Sequence, residues 1–335
     1  MEEMQSIQKS KSEHLEKRTV VITGASSGIG RAATIEFARR NYHVAAVARN
    51  EMSLQKLADE CKQFEGDVVI HPVDVTDYEG IERVARETKE RFGRIDMWIN
   101  NAALTAFGRI EVMPVDILRR VIETNIMGYI QGARAVIPYF REQGKGILVN
   151  VSSIVGKTSQ PFTIPYTISK AAINSLSECL RMELMDAPDI HICTVLPPSI
   201  DTPLFQHGAN YSGLGIKPMD PVYSAYKVVK ALIRLADSPR REVFIGGMAK
   251  ISAAARRIAP SMMEKMMADK VRQDHFQDWT SPQGRGNLFE PDKEWTSISG
   301  GWIKEEQKTG TGMVAVGLGA LALGLGALGW MYAGR

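Results

Sequence analysis

Seven short apolar runs recur along the first 247 residues, at 19–23, 44–48, 68–73, 95–99, 147–151, 190–196 and 242–247. They are continuous rather than alternating, which is the pattern of strands covered on both faces in a parallel sheet. The segments between them carry apolar residues at three- and four-residue spacing: Ala32, Ala33, Ile35, Phe37 and Ala38; Leu54, Leu57, Ala58, Cys61 and Phe64; Ile81, Val84, Ala85 and Phe92; Ala171, Ala172, Leu176, Cys179, Leu180 and Leu184. Each is one stripe of an amphipathic helix, the second opened by Asn50 as a cap. A longer helix is expected from about 115 to 141, its apolar face interrupted by Asn125 and Gly128; Asn is unfavourable inside a helix, so it marks a site or a kink. Strand and helix in alternation predict an α/β fold around a parallel sheet.

The pattern changes at both ends and in one loop. Residues 1–18 form a polar arm with no apolar stretch of the kind a secretory signal needs. Residues 199–219, rich in Pro, Gly and Ser and holding Phe205, His207 and Tyr211, are expected to be a mobile loop. After a helix near 221–236 and the last strand, residues 248–276 show helical patterning with Met262, Met263, Met266 and Met267, either an adaptable cover for an apolar ligand or packing against the domain. Residues 280–310 have the Pro and Gly content of an irregular linker, so 248–310 are a helical extension and linker. From Met313 to Ala333 twenty-one residues carry no charge. As a helix that run would extend ~30 Å, the thickness of a bilayer core, with Trp330 and Tyr332 at one end where amphipathic rings prefer the interface. Small pairs such as Ala315/Gly319 and Ala320/Gly324 permit close helix contact in lipid. Residues 311–335 therefore read as a transmembrane anchor with the catalytic domain on the cytoplasmic side; a buried helix or a glycine-rich tail are the alternatives.

Composition narrows the picture less. With 41 basic against 38 acidic residues the formal charge is +3, which gives no electrostatic case for nucleic acid. Cys61, Cys179 and Cys193 have no metal-ligand or disulfide spacing and read as reduced packing residues; no metal site is expected.

Candidate chemistry falls at the carboxyl ends of the runs, where open α/β sheets bind ligands. Thr23 leads into Gly24, Ala25, Ser26, Ser27, Gly28, Ile29 and Gly30, three glycines between a strand and a helix. Such a turn offers backbone N–H groups and a helix N-terminus to an anion, and a dinucleotide pyrophosphate is the expected ligand. Arg49 stands where an acidic residue would hold a ribose 2′-OH; it favours a 2′-phosphate, hence NADP(H) before NAD(H), unless it only caps the sheet edge in solvent. Asp74, followed by Val75, ends the third run and either accepts from an adenine amino group or, like Asp77, caps a helix. Asn100, Asn101, Ala102 and Ala103 follow the fourth; small residues admit the cofactor and Asn side chains can tie strand ends together. Ser152 and Ser153 end the fifth, as oxygen ligands or turn caps. His191 reads as a core or edge histidine. Tyr166 and Lys170, four residues apart, share a helix face. A cation beside a phenol favours the phenolate, making Tyr166 a candidate general acid/base, although this spacing also arises by chance in exposed helices.

Taken together, Thr23-Gly24, Gly28-Ile29-Gly30, Asn100-Asn101-Ala102, Asn125, Ser153 and the Tyr166 to Lys170 pair have the order and spacing found in short-chain dehydrogenases/reductases, which the chain resembles over about residues 19–247. The resemblance implies a Rossmann-like, doubly wound, seven-stranded parallel sheet. It implies Tyr166 as the general acid/base, Lys170 lowering its pKa and holding the nicotinamide ribose, Ser153 hydrogen-bonding the substrate oxygen, and Asn125 supporting a water relay behind Lys170. Pro197 and Thr202 fall at cofactor-contacting positions, and pairing through the helices of Asn125 and Tyr166 implies a homo-oligomer. Two residues depart from the pattern: Ala103 and Pro198 replace the family's usual glycines. The function expected is an NADP-preferring oxidoreductase that interconverts a hydroxyl and a carbonyl on a small, lipophilic alcohol or ketone near a membrane. A membrane-tethered NADP(H) sensor or scaffold without turnover is the alternative.

Overall fold

In a computed structural model of the chain, residues 17–247, 260–292 and 294–303 are described. Chain order gives β1 (Thr19–Thr23), α1 (Gly28–Arg39), β2 (His43–Ala48), α2 (Glu51–Cys61), β3 (Val68–Pro72), α3 (Tyr78–Phe92) and β4 (Met97–Asn100). The second half has α4 (Val115–Ile122), α5 (Gly128–Gln143), β5 (Gly146–Val151), α6 (Ile164–Glu183), β6 (Ile190–Leu196), α7 (Ala225–Asp237) and β7 (Glu242–Phe244), and then α8 (Pro260–Asp274). The seven strands form one sheet in the order β7-β6-β5-β4-β1-β2-β3, parallel throughout. The order reverses between β1 and β4, and a crevice at such a switch point is where this architecture takes a ligand.

Both faces of the sheet are covered, as the continuous apolar runs required. Val20, Ile22, Val44, Ala46, Ile99 and Val149 pack against α1, α2 and α7. Val21, Ala45, Val47, Trp98 and Leu148 pack on the other side against α3 and α5. Local signals set the helix ends. The Asn50 side chain accepts from Ser53 N at 3.0 Å and Asp77 from Gly80 N at 3.0 Å, while Gly93, at φ 76°, closes α3 with its N–H on Lys89 O. Asp77 rather than Asp74 is thus the helix cap.

The long helix expected from 115 to 141 is broken into α4 and α5 by a π-helical turn, Glu123–Met127, with Asn125 fully buried inside it. Gly128 follows because α5 passes close to β3: a Cβ there would lie 2.7 Å from Val75 Cγ2. On α6 the outcome departs from the stripe expected. Its buried face carries Thr167, Ser169, Lys170, Asn174 and Ser177 together with Ile173 and Leu180, whereas Cys179 is exposed. Lys170 and Ser177 find partners on β5 and α5, in Val151 O, the Tyr129 hydroxyl and Asn150 Nδ2, whereas both side-chain polar atoms of Asn174 are buried without a partner.

Residues 281–292 and 294–302 are irregular, as expected, but are no linker: they belong to one compact unit with the domain, with Leu288 fully buried against Leu104, Ile117 and Val121. A buried apolar anchor and the hydrogen bonds set out below fix this stretch to the domain. Most of the polar arm, residues 248–259 and the anchor expected at 311–335 lie outside the described residues. Among the described residues no helix is long and apolar enough to cross a membrane.

Candidate active site

Strand ends on the switch-point side open into one cavity of about 900 Å³. Its floor is the glycine turn after β1. Gly24 has φ +69°, and a Cβ on it would lie 2.8 Å from Ala102 Cα; a Cβ on Gly30 would lie 2.1 Å from the Gly24 carbonyl oxygen. Only glycine permits both approaches. Ser27 precedes α1 without making a side-chain capping bond; the Gly28 N–H donates to Ser297 O at 3.0 Å, so an anion at this helix N-terminus would meet that contact. The turn is braced from behind: the Thr23 hydroxyl accepts from Asn101 N at 2.9 Å and Ala102 N at 3.1 Å, and Asn101 Nδ2 donates to Thr23 O at 2.9 Å. Asn100 Nδ2 reaches Asn150 Oδ1 at 3.0 Å, tying β4 to β5 as the sequence suggested.

Around this floor the wall includes Gly24, Ser26, Ser27, Gly28, Ile29, Arg49, Asp74, Val75, Asn101, Ala102, Pro197 and Thr202, all singled out from the sequence, and also Ala103 and Pro198. The glycine turn and the donor set around it fit a dinucleotide. Asp74 accepts from Thr76 N at 2.9 Å and pairs with Arg120; burial raises its pKa, and these donors outweigh that, leaving it below the usual carboxylate value. Arg49 is not free in solvent. Its guanidinium donates to the carbonyl oxygens of Leu288 at 2.9 Å and Phe289 at 3.3 Å, and to that of Asn287.

At the other end stand Ser153, Tyr166 and Lys170. Ser153 Oγ bonds Pro197 O at 3.2 Å and also engages the Tyr166 phenol. Lys170 is 2% exposed, with Nζ 2.8 Å from Val151 O, 3.3 Å from the Tyr129 hydroxyl and 5.4 Å from the Tyr166 ring centre. Burial pushes the Tyr166 phenol up to about 12, opposed by the Ser153 bond, and pushes the Lys170 ammonium down to about 7. Lys170 therefore does not pull the phenol down in this geometry: low dielectric disfavours the charged form of each, and the ammonium points at a carbonyl and at Tyr129.

Asn125 lies beside the residue that precedes Lys170. Its Oδ1 accepts from Leu104 N at 2.7 Å, and Nδ2 donates to Leu104 O at 2.9 Å and Ser169 Oγ at 3.0 Å. The side chain thus staples the β4 loop to α6, one residue from Lys170. Ser152 Oγ does similar work from β5, donating to Lys170 O at 2.9 Å.

Sequence reasoning missed Tyr129, fully enclosed, whose hydroxyl donates to Val151 O at 2.9 Å and accepts from Lys170. Its position one turn after Asn125 was the available signal. It also missed His275, which lines the cavity from beyond α8 with Nδ1 on Lys217 O and its ring edge-on to Phe107 and Phe205. No local pattern could have brought residue 275 to residue 107. Met263, Met266 and Met267 line the cavity as well, so the Met cluster covers the site. His191 is exposed on β6.

The residues of the glycine turn and the Ser153, Tyr166 and Lys170 group fall within a match to the short chain dehydrogenase family over residues 18–210, and the chain belongs to that family. An uncharacterized oxidoreductase, YxnA, of Bacillus subtilis (strain 168) is 32% identical over 289 residues, covering 84% of this chain and 80% of its own. 11-beta-hydroxysteroid dehydrogenase A of Sesamum indicum is 31% identical over 264 residues, 76% of this chain and 75% of its own. Among solved structures, an alcohol dehydrogenase from the archaeon Thermococcus sibiricus, complexed with 5-hydroxy-NADP, superposes with a TM-score of 0.59 at 29% identity, covering 68% of this chain and 96% of its own. A short-chain dehydrogenase/reductase from Burkholderia phymatum in complex with NAD shares the fold, with a TM-score of 0.67 at 21% identity over 80% of this chain and 99% of that one.

Proposed function

We propose that this short-chain dehydrogenase/reductase uses NADP(H) in preference to NAD(H) to interconvert a ketone and an alcohol on a lipophilic substrate, and that residues 311–335 hold it at a membrane with the catalytic domain on the cytoplasmic side. One observation carries the chemistry: Ser153, Tyr166 and Lys170 converge on the wall of the same cavity whose floor is the glycine turn. Ser26, Ser27 and Ile29 would hold the pyrophosphate at the start of α1, Asp74 and Val75 would border the adenine, and Asn101, Pro197 and Thr202 the nicotinamide half. The bound dinucleotide supplies or accepts the hydride.

The chain's own residues handle the oxygen. Ser153 donates a hydrogen bond to the substrate oxygen as charge develops there, and Tyr166 delivers or removes its proton. A phenol pushed up to about 12 keeps its proton at neutral pH, which suits delivery and therefore reduction. Lys170, anchored by Val151 and Tyr129, fixes the polar corner in which the phenol sits.

Arg49 beside the floor supports NADP(H), since even while bonded to backbone carbonyls it brings a positive charge to that end of the groove. Leu104, Phe107, Phe205, Met263 and Met267 on the cavity wall support a lipophilic substrate, as does the name of the sesame relative. Exposed Met127 and Ile168 lie on the helical segments next to Asn125 and Tyr166, and support pairing of two copies there. The test is NADPH and NADH consumption with a panel of cyclic and steroidal ketones. Turnover that depends on Tyr166 and is faster with NADPH is expected; equal turnover by Tyr166→Phe would overturn the assignment.

A further inference from the structure

Residues 287–292 and 294–302 run along the cavity from one end of the groove to the other. At the β2 end Arg49 holds the carbonyls of Asn287, Leu288 and Phe289, Arg120 Nε donates to Leu288 O at 2.8 Å, and Asn50 Nδ2 donates to Asp292 O at 2.7 Å. In the middle the Gly28 N–H, in the glycine turn itself, donates to Ser297 O at 3.0 Å, and His207 Nε2 meets Trp295 O at 2.7 Å. At the far end the buried Asp201 carboxylate accepts from Ser299 Oγ at 2.6 Å, Gly300 N at 3.0 Å and Trp302 N at 2.9 Å, and Trp302 Nε1 reaches Thr202 O at 3.3 Å. Leu288 is fully buried, while Asn287, Asp292, Trp295 and Thr296 face the same cavity as Gly24 and Ser27.

We infer that this strap is an outer wall of the dinucleotide site: it touches the glycine turn at Gly28, where Ser297 O takes the N–H, and bounds the cavity beside that contact, so that a cofactor reaching the start of α1 displaces the contact and leaves only when an anchor of the strap releases. The inference rests on the proposed use of a nicotinamide dinucleotide. It adds binding residues from outside the span 18–210 that matches the family. Each anchor holds a cofactor position or its neighbour: Arg49 itself and Asn50 after β2, Gly28 itself at the turn, and Asp201 next to Thr202. Held at three separated points, the strap leaves a cavity open to Asn287, Asp292, Trp295 and Thr296 on its inner side. Its release rate then limits exchange of the cofactor, as lid opening does in many enzymes. The strap also shares Arg49 with any 2′-phosphate, so the same guanidinium positions the wall and selects the ligand.

The test uses the full-length protein, with Asp201→Asn and Ser299→Ala at one anchor and Leu288→Ala at the other. Release of NADPH and NADH is followed by stopped-flow fluorescence on dilution into competing nucleotide, and affinity by equilibrium titration. The expected result is a rise of about tenfold or more in the release rate from either end of the strap, with circular dichroism showing folded protein. Limited proteolysis supplies an independent arm: cleavage within 280–303 of the wild type should slow severalfold with NADPH bound. Folded variants that release cofactor at the wild-type rate, or a strap cleaved equally fast with and without cofactor, would overturn the inference. Should the wild type bind neither NADPH nor NADH, the functional reading itself fails; binding with unchanged release defeats the strap alone.

Discussion

Tyr166 and Lys170 show how burial redirects a pair whose sequence spacing suggests simple charge stabilisation. Because the phenol keeps its proton near neutrality, replacing it with Phe removes the acid proposed to protonate the substrate oxygen, and kcat should fall by about 10²–10⁴ while NADPH affinity holds. The direction of the shift also sets a pH dependence. Alcohol oxidation needs the phenolate, so its rate should keep rising above neutral pH. Reduction, which uses the protonated phenol, should gain nothing there. Rate profiles in both directions check this, and a reduction rate climbing in parallel with oxidation would contradict it. His275 gives a stability effect of definite sign. Burial holds its ring down to about 4, outweighing the Lys217 carbonyl, so the unfolded chain takes up its proton first as pH falls from about 6.5. The folded state should lose up to ~3 kcal/mol between those two values and no more below them. Chemical denaturation at pH 7 and 4.5 measures the loss, and His275→Gln should reduce it.

At the level of elements, the π turn between α4 and α5 is where local preference yields to the site. Asn125 was legible as a misfit in a helix, yet its purpose was not, since Leu104 and Ser169 come from separate segments. Asn125→Ala leaves Leu104 N and O unpaired in a buried place, and should cost ~2–4 kcal/mol in stability. It should lower kcat by letting α6 shift. A thermal midpoint unchanged from wild type would show that the staple carries no load. The glycine turn, by contrast, was readable from its place between strand and helix, although only Gly30 answers a neighbour within that unit, and Gly24 and Gly28 make room for Ala102 and Thr202. The strap was not: Pro and Gly content describes irregular backbone equally well whether it hangs free or is clasped by Arg49 and Asp201.

For the whole molecule, the added C-terminal residues shape the site more than their sequence suggests, supplying Met263, Met266, Met267, His275 and Trp295 to the cavity. They would lead directly into the apolar run from Met313 to Ala333. Membrane fractionation of the full chain against a chain ending at residue 310 tests the proposed anchor: the full chain should sediment with membranes and the shortened one should not. A full chain that stays in the supernatant without detergent would reject it.

Sequence by itself determined the alternating strands and helices, the glycine turn and the identity of Ser153, Tyr166 and Lys170, because each depends on residues near in the chain or on a spacing carried by one helix. Tertiary structure alone decided that Tyr129 holds Lys170, that α6 turns its polar face inward, and that Asn287, Asp292, Trp295 and Thr296 line the cavity. Those outcomes depend on which distant groups share a buried space, where an unpaired donor or acceptor is costly enough to overrule local pattern.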